Sequence, residues 1–72
     1  MILNAIIQKD ENGYFAFVPE LSGCVTQADS YEEAISNIKE AAALYMERLQ
    51  LDEIRHIQAK DTAIIPIELA NA

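Results

Sequence analysis

Gly13-Tyr14-Phe15-Ala16-Phe17-Val18-Pro19-Glu20-Leu21-Ser22-Gly23-Cys24-Val25-Thr26 holds a turn, a strand apolar on both faces, a proline-led bend and the start of another strand. Successive side chains alternate across a strand, so Tyr14, Ala16 and Val18 point one way and Phe15 and Phe17 the other. Both sets are apolar, which is the pattern of a central strand covered on two sides. Pro19 has no amide to give to a ladder and ends the strand. Glu20-Leu21-Ser22-Gly23 then turns the chain, and residues 24–28 run back as a further strand.

Upstream, residues 2–8 are apolar and partly alternating, and Asn12-Gly13 is a strong hairpin signal. Both central residues of a type I′ turn need positive φ, which Asn and Gly tolerate. Residues 2–8 and 14–18 are therefore expected to be antiparallel neighbours. Downstream, Ser30-Tyr31-Glu32-Glu33 reads as a capping box, the Ser30 hydroxyl taking the Glu33 amide and the Glu33 carboxylate returning to Ser30. Asp29 and Glu32 add negative charge where a helix dipole favours it. At 100° per residue, Tyr31, Ile35, Ile38, Ala42, Tyr45 and Leu49 share one face, flanked by Ala34 and Ala41. This is one amphipathic helix of about five turns.

After Leu49 the phase is lost. Residues 50–61 fit a frayed helical extension, a second short turn or a loop. Residues 62–69 are β-rich and apolar, with Pro66 limiting them to a sheet edge or a strand end. The fold class expected is α+β in the order β-β-β-α-β: an antiparallel three-stranded sheet plus a fourth strand, with the helix on one face. A single domain over residues 1–72 accommodates this. The helix would carry the chain from strand three to a parallel strand four by a right-handed crossover, giving the order 3-2-1-4. The other sheet face then has no cover within one chain. Phe15 and Phe17, or their opposite numbers Tyr14 and Val18, are expected to meet another chain.

Size points the same way. A chain of 72 residues buries only about 60% of its unfolded surface, and Cys24, the sole cysteine, has no partner for a disulfide. With 51% hydrophobic residues in so short a chain, a homo-oligomer, dimer or tetramer, is expected. Twelve acidic against five basic residues give a net charge of −7. Nucleic-acid binding needs Lys and Arg to neutralise phosphates, so none is expected; a basic protein partner suits the charge. No apolar run nears the ~20 residues needed to span a bilayer. A lone thiol and the absence of a signal-peptide pattern at the start point to the cytoplasm.

Candidate chemistry is sparse. His56 is the only histidine, and no positioned partner for acid–base work accompanies it; it reads as a solvated side chain. Cys24 lacks the cationic or helix-terminal setting of a reactive thiol and reads as a small core residue. Asp10 and Glu11 suit the tip of a hairpin, and Asp29, Glu32 and Glu33 suit a helix start. Two glycines leave no phosphate-cradling loop. No catalytic residue, cofactor or metal site is expected.

With these residues assembled, the chain resembles the HicB antitoxin family, specifically its small amino-terminal domain. The resemblance rests on the run from Gly13 to Gln27, with its Pro19-Glu20-Leu21-Ser22-Gly23-Cys24 bend. It continues through Ser30, Glu32-Glu33-Ala34-Ile35 and Ile38-Lys39-Glu40-Ala41. Ser22 stands where the family usually has proline, which predicts a looser bend, and Ala28 where glycine is usual, so that position should not need φ > 0. Full-length members often carry a carboxy-terminal DNA-binding domain; this chain ends after one more expected strand, so promoter binding by it alone is not expected. The family domain resembles a partial ribonuclease-H-like fold, but that chemistry needs clustered carboxylates holding two Mg²⁺ ions. Residues 2–8 and 14–18 contain no acid, so fold likeness does not bring the activity.

The resemblance implies a non-enzymatic antitoxin that occludes a small, basic, mRNA-cleaving HicA-type toxin. Asp10 and Glu11 at the hairpin tip, and Glu20 and Leu21 in the bend, are the implied partner contacts, with the helix face bearing Glu40 and Glu47 as a further one. Phe15 and Phe17 are the implied oligomer contact. The alternative is a stand-alone oligomeric protein- or ligand-binding module.

Overall fold

Strands β1 (Ile6–Asp10), β2 (Gly13–Phe17) and β3 (Val25–Ala28) make an antiparallel sheet in the order β1-β2-β3, with β2 central as its two apolar faces require. Helices α1 (Tyr31–Glu47) and α2 (Leu51–Gln58) follow. This computed structural model describes residues 1–70. The register pairs Ile6 with Phe17 and Asp10 with Gly13 across the hairpin, and Phe17 with Val25 and Tyr14 with Ala28 on the far side.

The hairpin forms where expected but with a different turn. Glu11 and Asn12 are its central residues, and among the described residues only glycines have positive φ, so type I′ does not apply. The Asp10 carboxylate accepts the Asn12 amide at 2.8 Å, an Asx arrangement that stabilises a turn without a left-handed asparagine. The unusual backbone falls instead on Gly13, at φ 127. A Cβ there would lie 2.9 Å from the carbonyl oxygen of Ala28 on β3. Glycine thus serves both the backbone angle and the close approach of the third strand.

The first strand starts at Ile6, not at residue 2, for reasons visible at both ends of the missing ladder. Val18 faces β3, giving its amide to the Cys24 carbonyl at 3.1 Å, and Pro19, the next residue on the β1 side, has no amide to give. Asn4, meanwhile, is drawn off to the Glu20 carboxylate by its own amide and its side chain.

Helix α1 begins at Ser30, whose hydroxyl accepts the Glu33 amide at 3.1 Å. This half of the expected capping box satisfies one of the helix's unpaired donors. The buried line runs through Ala34 and Ile38 with Ala41, Ala42 and Tyr45 beside it, whereas Tyr31 and Leu44 are half exposed. The stripe keeps Ile38, Ala42, Tyr45 and Leu49 of the expected face and turns toward the flanking alanines Ala34 and Ala41. Ala16 on β2 and Ala34 on α1 are both fully buried, and side chains that small let helix and sheet backbones come close. Val18, Leu21, Cys24, Ile38 and Ile57 complete the core, each large aliphatic contributing about 1.5–3 kcal/mol. At the open end Tyr14 and Tyr31 meet edge to face, with centroids 6.4 Å apart.

Two expectations need correction. Residues 51–58 form a second helix, so the single-helix reading is incomplete. Gln50 supplies its start, its amide donating to the Glu53 carboxylate at 3.0 Å, and Ile57 reaches back into the core. The break after Glu47 resets the helical phase, which is why Ile54 and Ile57 do not continue the first stripe. Nor is there a fourth strand among the described residues: 62–69 pair with nothing, and Ile64, Ile65, Ile67 and Leu69 are 67–80% exposed.

Replacing Gly13 by alanine is expected to cost about 1–3 kcal/mol, the usual range for a strained backbone. Urea denaturation of the two proteins measures it, and an unchanged midpoint would contradict the close approach described.

Candidate functional site

The bend between β2 and β3 is built from two turns in series. Leu21 donates its amide to the Val18 carbonyl at 3.0 Å, and Cys24 donates to the Leu21 carbonyl at 3.0 Å. Pro19 occupies the second position of the first turn, where a fixed φ near −65° is wanted. Gly23, at φ 80, occupies the third position of the second turn, which in a type II turn requires positive φ. The Val18 amide closes the loop on the Cys24 carbonyl. Each member of the Pro-Glu-Leu-Ser-Gly-Cys run thus has a mechanical role. The Tyr45 hydroxyl on α1 adds a latch, donating to the Ser22 carbonyl at 2.9 Å, so serine in place of proline does not leave the bend unheld.

Glu20 sits inside this bend, 5% exposed, and Leu21 beside it is 1% exposed. The Glu20 carboxylate accepts the Asn4 amide at 3.2 Å and the Asn4 side-chain amide at 2.8 Å. The Glu20 carbonyl takes Lys60 Nζ at 3.5 Å. One acidic residue therefore ties the bend to the segment ahead of β1 and to the segment after α2. Burial alone pushes the carboxyl up, but the hydrogen bonds from Asn4 and backbone amides outweigh it and hold the group below the usual glutamate value. Beside the bend lies a cleft of ≈ 360 Å³ bounded by Glu20, Tyr45, Asp52, Glu53, His56 and Lys60; His56 is exposed.

The hairpin tip is the second feature. Asp10 and Glu11 are exposed, and a cleft of ≈ 270 Å³ runs from Asp10 and Asn12 past Tyr14 and Gln27 to Asp29 and Glu33. Lys9 Nζ stands 5.7 Å from the centroid of the Tyr14 ring, a cation–π distance. Among the described residues no group of three or more His, Cys, Asp or Glu side chains is placed to hold a metal ion. The tip offers a concave acidic surface.

The third feature is the sheet face away from α1. Ile6, Phe17 and Val25 form one cross-strand row and Gln8, Phe15 and Gln27 the next. The Phe15 and Phe17 rings, 5.8 Å apart, shelter each other only in part, and Val25 is 52% exposed.

The four residues expected to contact a partner thus divide. Asp10 and Glu11 stand on the surface; Glu20 and Leu21 face inward and fix the shape of the bend. Sequence reasoning passed over Asn4 and the hydroxyl latch of Tyr45, whose roles depend on contacts 16 and 23 residues away along the chain. No local pattern signals them. Cys24 is a free, buried thiol, pushed up by that burial, in keeping with a core role.

The chain matches, over residues 3–68, the family described as HicB_like antitoxin of bacterial toxin-antitoxin system. A UPF0150 protein of Helicobacter pylori is 58% identical over the whole of both chains. A UPF0150 protein of Synechocystis is 40% identical over 89% of this chain and 81% of its own. One from Thermoplasma acidophilum is 49% identical over 69% and 74%. No solved structure matches.

Two measurements probe the bend. The folded carboxyl of Glu20 releases its proton at lower pH than the unfolded one, so its contribution is complete above the unfolded-state glutamate range and drains away as pH falls through the folded-state value. Glu20→Gln should flatten that acid limb in a pH series of urea melts and cost about 1–2 kcal/mol at neutral pH; an unaltered limb would mean the carboxylate is not clamped. Ser22→Pro should raise stability by about 0.4–1 kcal/mol, because it stiffens the unfolded chain at a position suited to proline.

Proposed function

We propose a function from the premise that the chain belongs to the HicB-like antitoxins of bacterial toxin–antitoxin systems, a membership that carries an antitoxin role and, in general terms, a toxin partner. The toxin in this reading is a small, basic, HicA-type enzyme that cleaves mRNA. This chain lies over its RNA-binding face and shuts out the substrate. No reaction takes place on the antitoxin, which needs no cofactor, and the encounter takes place in the cytoplasm.

Charge is the observation that supports this partner. The chain carries a net −7, and the concave tip is lined by Asp10, Asp29 and Glu33 with no basic side chain among its lining residues. An acidic concavity attracts a protein whose own substrate is a polyanion, and complementary fields act mainly on encounter rate and selectivity. Asp10 and Glu11 make the first contacts. Glu20 and Leu21 contribute by holding the bend in one shape beside the second cleft.

Self-association accompanies this function. The apolar row of Ile6, Phe17 and Val25 with Phe15 beside it supports a homo-oligomer, dimer or tetramer, with Phe15 and Phe17 in the contact. The same bare face also favours a second reading, a stand-alone oligomeric module that binds some other protein or a ligand. A toxin encoded beside the gene separates the two.

Co-expression with such a toxin should restore growth, and the purified pair should form a complex at micromolar concentration in low salt. Asp10→Lys with Glu11→Lys should slow association at least ten-fold at low salt while changing dissociation little, as read by stopped-flow fluorescence. Absence of any complex under those conditions would overturn the toxin assignment.

A further inference from the structure

The described chain exposes more surface than its mass requires. Its accessible area is 5851 Å², whereas a compact monomer of 8.0 kDa has about 4,450 Å². Its radius of gyration is 14.2 Å, against about 11 Å for a compact chain of this length. Much of the excess belongs to residues 62–69, all of them exposed.

That segment is chemically unlike a solvated tail. It reads Thr62-Ala63-Ile64-Ile65-Pro66-Ile67-Glu68-Leu69, with one charge in eight residues of an otherwise acidic chain. Drawn as a strand, Ala63, Ile65, Ile67 and Leu69 fall on one face and Ile64, Pro66 and Glu68 on the other. The first set is apolar throughout, as a strand facing a core must be. Pro66 lacks an amide, so its backbone side must face away from the ladder, which restricts the segment to an outermost strand. An outermost place exists: β1 is bonded to β2 alone, and its other edge is free.

We propose that residues 62–69 add as an edge strand to β1 of a second copy of this chain, reciprocally, so that two copies exchange their terminal segments. The occupant follows from three observations. Beyond Lys60, held at the Glu20 carbonyl, the segment departs from its own sheet and stays exposed. A second copy presents the identical unfilled edge. The surplus area, about 1,400 Å² per chain, exceeds the roughly 800 Å² per partner of a stable interface. The near-neutral character of the segment also lets two copies of charge −7 meet through the one stretch that does not repel. Ile64 and Pro66, on the opposite face of the added strand, would extend the apolar row of Ile6, Phe17 and Val25.

This inference deepens the self-association in the functional reading and is tested on the isolated chain, so the absence of a toxin leaves it standing. The decisive experiment mixes ¹³C,¹⁵N-labelled and unlabelled full-length chains, unfolds and refolds them together, and records isotope-filtered NOEs. Contacts between residues 62–69 of one chain and Ile6–Asp10 of the other, with a dimeric mass by sedimentation, are the expected result. Three outcomes would overturn the proposal: a monomer, a segment folded only onto its own β1, or a dimer whose interchain contacts come only from Phe15 and Phe17. Ile65→Asp with Ile67→Asp should weaken the dimer at least 100-fold while the helical circular dichroism persists. If that variant fails to fold, the NOE result on the unaltered chain still decides.

Discussion

A three-stranded sheet has two faces, and this chain places apolar side chains on both while supplying one long helix to cover them. Nearly everything else follows from how that imbalance is met. Helix α1 takes the face of Tyr14, Ala16 and Val18, lying chiefly over β3 and β2. The fully buried pair Ala16 and Ala34 sets the closeness of the two layers, and larger residues at either place would push them apart. The opposite face keeps Phe15 and Phe17, two bulky rings that stay half-buried, 5.8 Å apart. A domain of this size has little stability in reserve, so a half-buried aromatic pair leaves part of its apolar area without benefit to the fold.

The second organising element is the Glu20 carboxylate. Buried acids are uncommon and persist only when their oxygens are satisfied. Here the donors come from Asn4, while the Glu20 carbonyl takes Lys60, and both residues lie outside every strand and helix. Glu20 therefore organises the parts of the chain that regular structure does not reach. It diverts the backbone before β1 and anchors the exit from α2. Tyr45 does similar work from the helix side by holding Ser22. The bend is thus a loop closed on itself by the Val18–Cys24 bond and the junction to which the segments before β1 and after α2 are tied.

The central strand, the bend, the helix start at Ser30 and the α+β class are legible in local sequence, because each depends on residues within four or five positions of one another. The family resemblance rests on the same local run and agrees with the match over residues 3–68. The turn at Glu11-Asn12 was misplaced by one residue because Asn-Gly satisfies two geometries, and the Asp10 side chain chose between them. Helix α2 was hidden by the phase break after Glu47; Glu53, three residues after Gln50, was its one available signal. The inward position of Glu20 could not be read locally, since an isolated glutamate in a turn looks solvated until Asn4 arrives from sixteen residues away. The strand expected at 62–69 illustrates the reverse: a sequence can have every property of a strand and still lack a neighbour in its own fold.

Cys24 closes the bend with its thiol shut inside, 4% exposed and pushed up by burial. A thiol in that state is a poor nucleophile and a poor target for oxidants. The protein can therefore pass through oxidative stress without cross-linking its copies through sulfur. Conversely, a covalent species on a non-reducing gel would report that the loop between β2 and β3 had come apart, which makes the lone sulfur a built-in gauge of that loop's integrity.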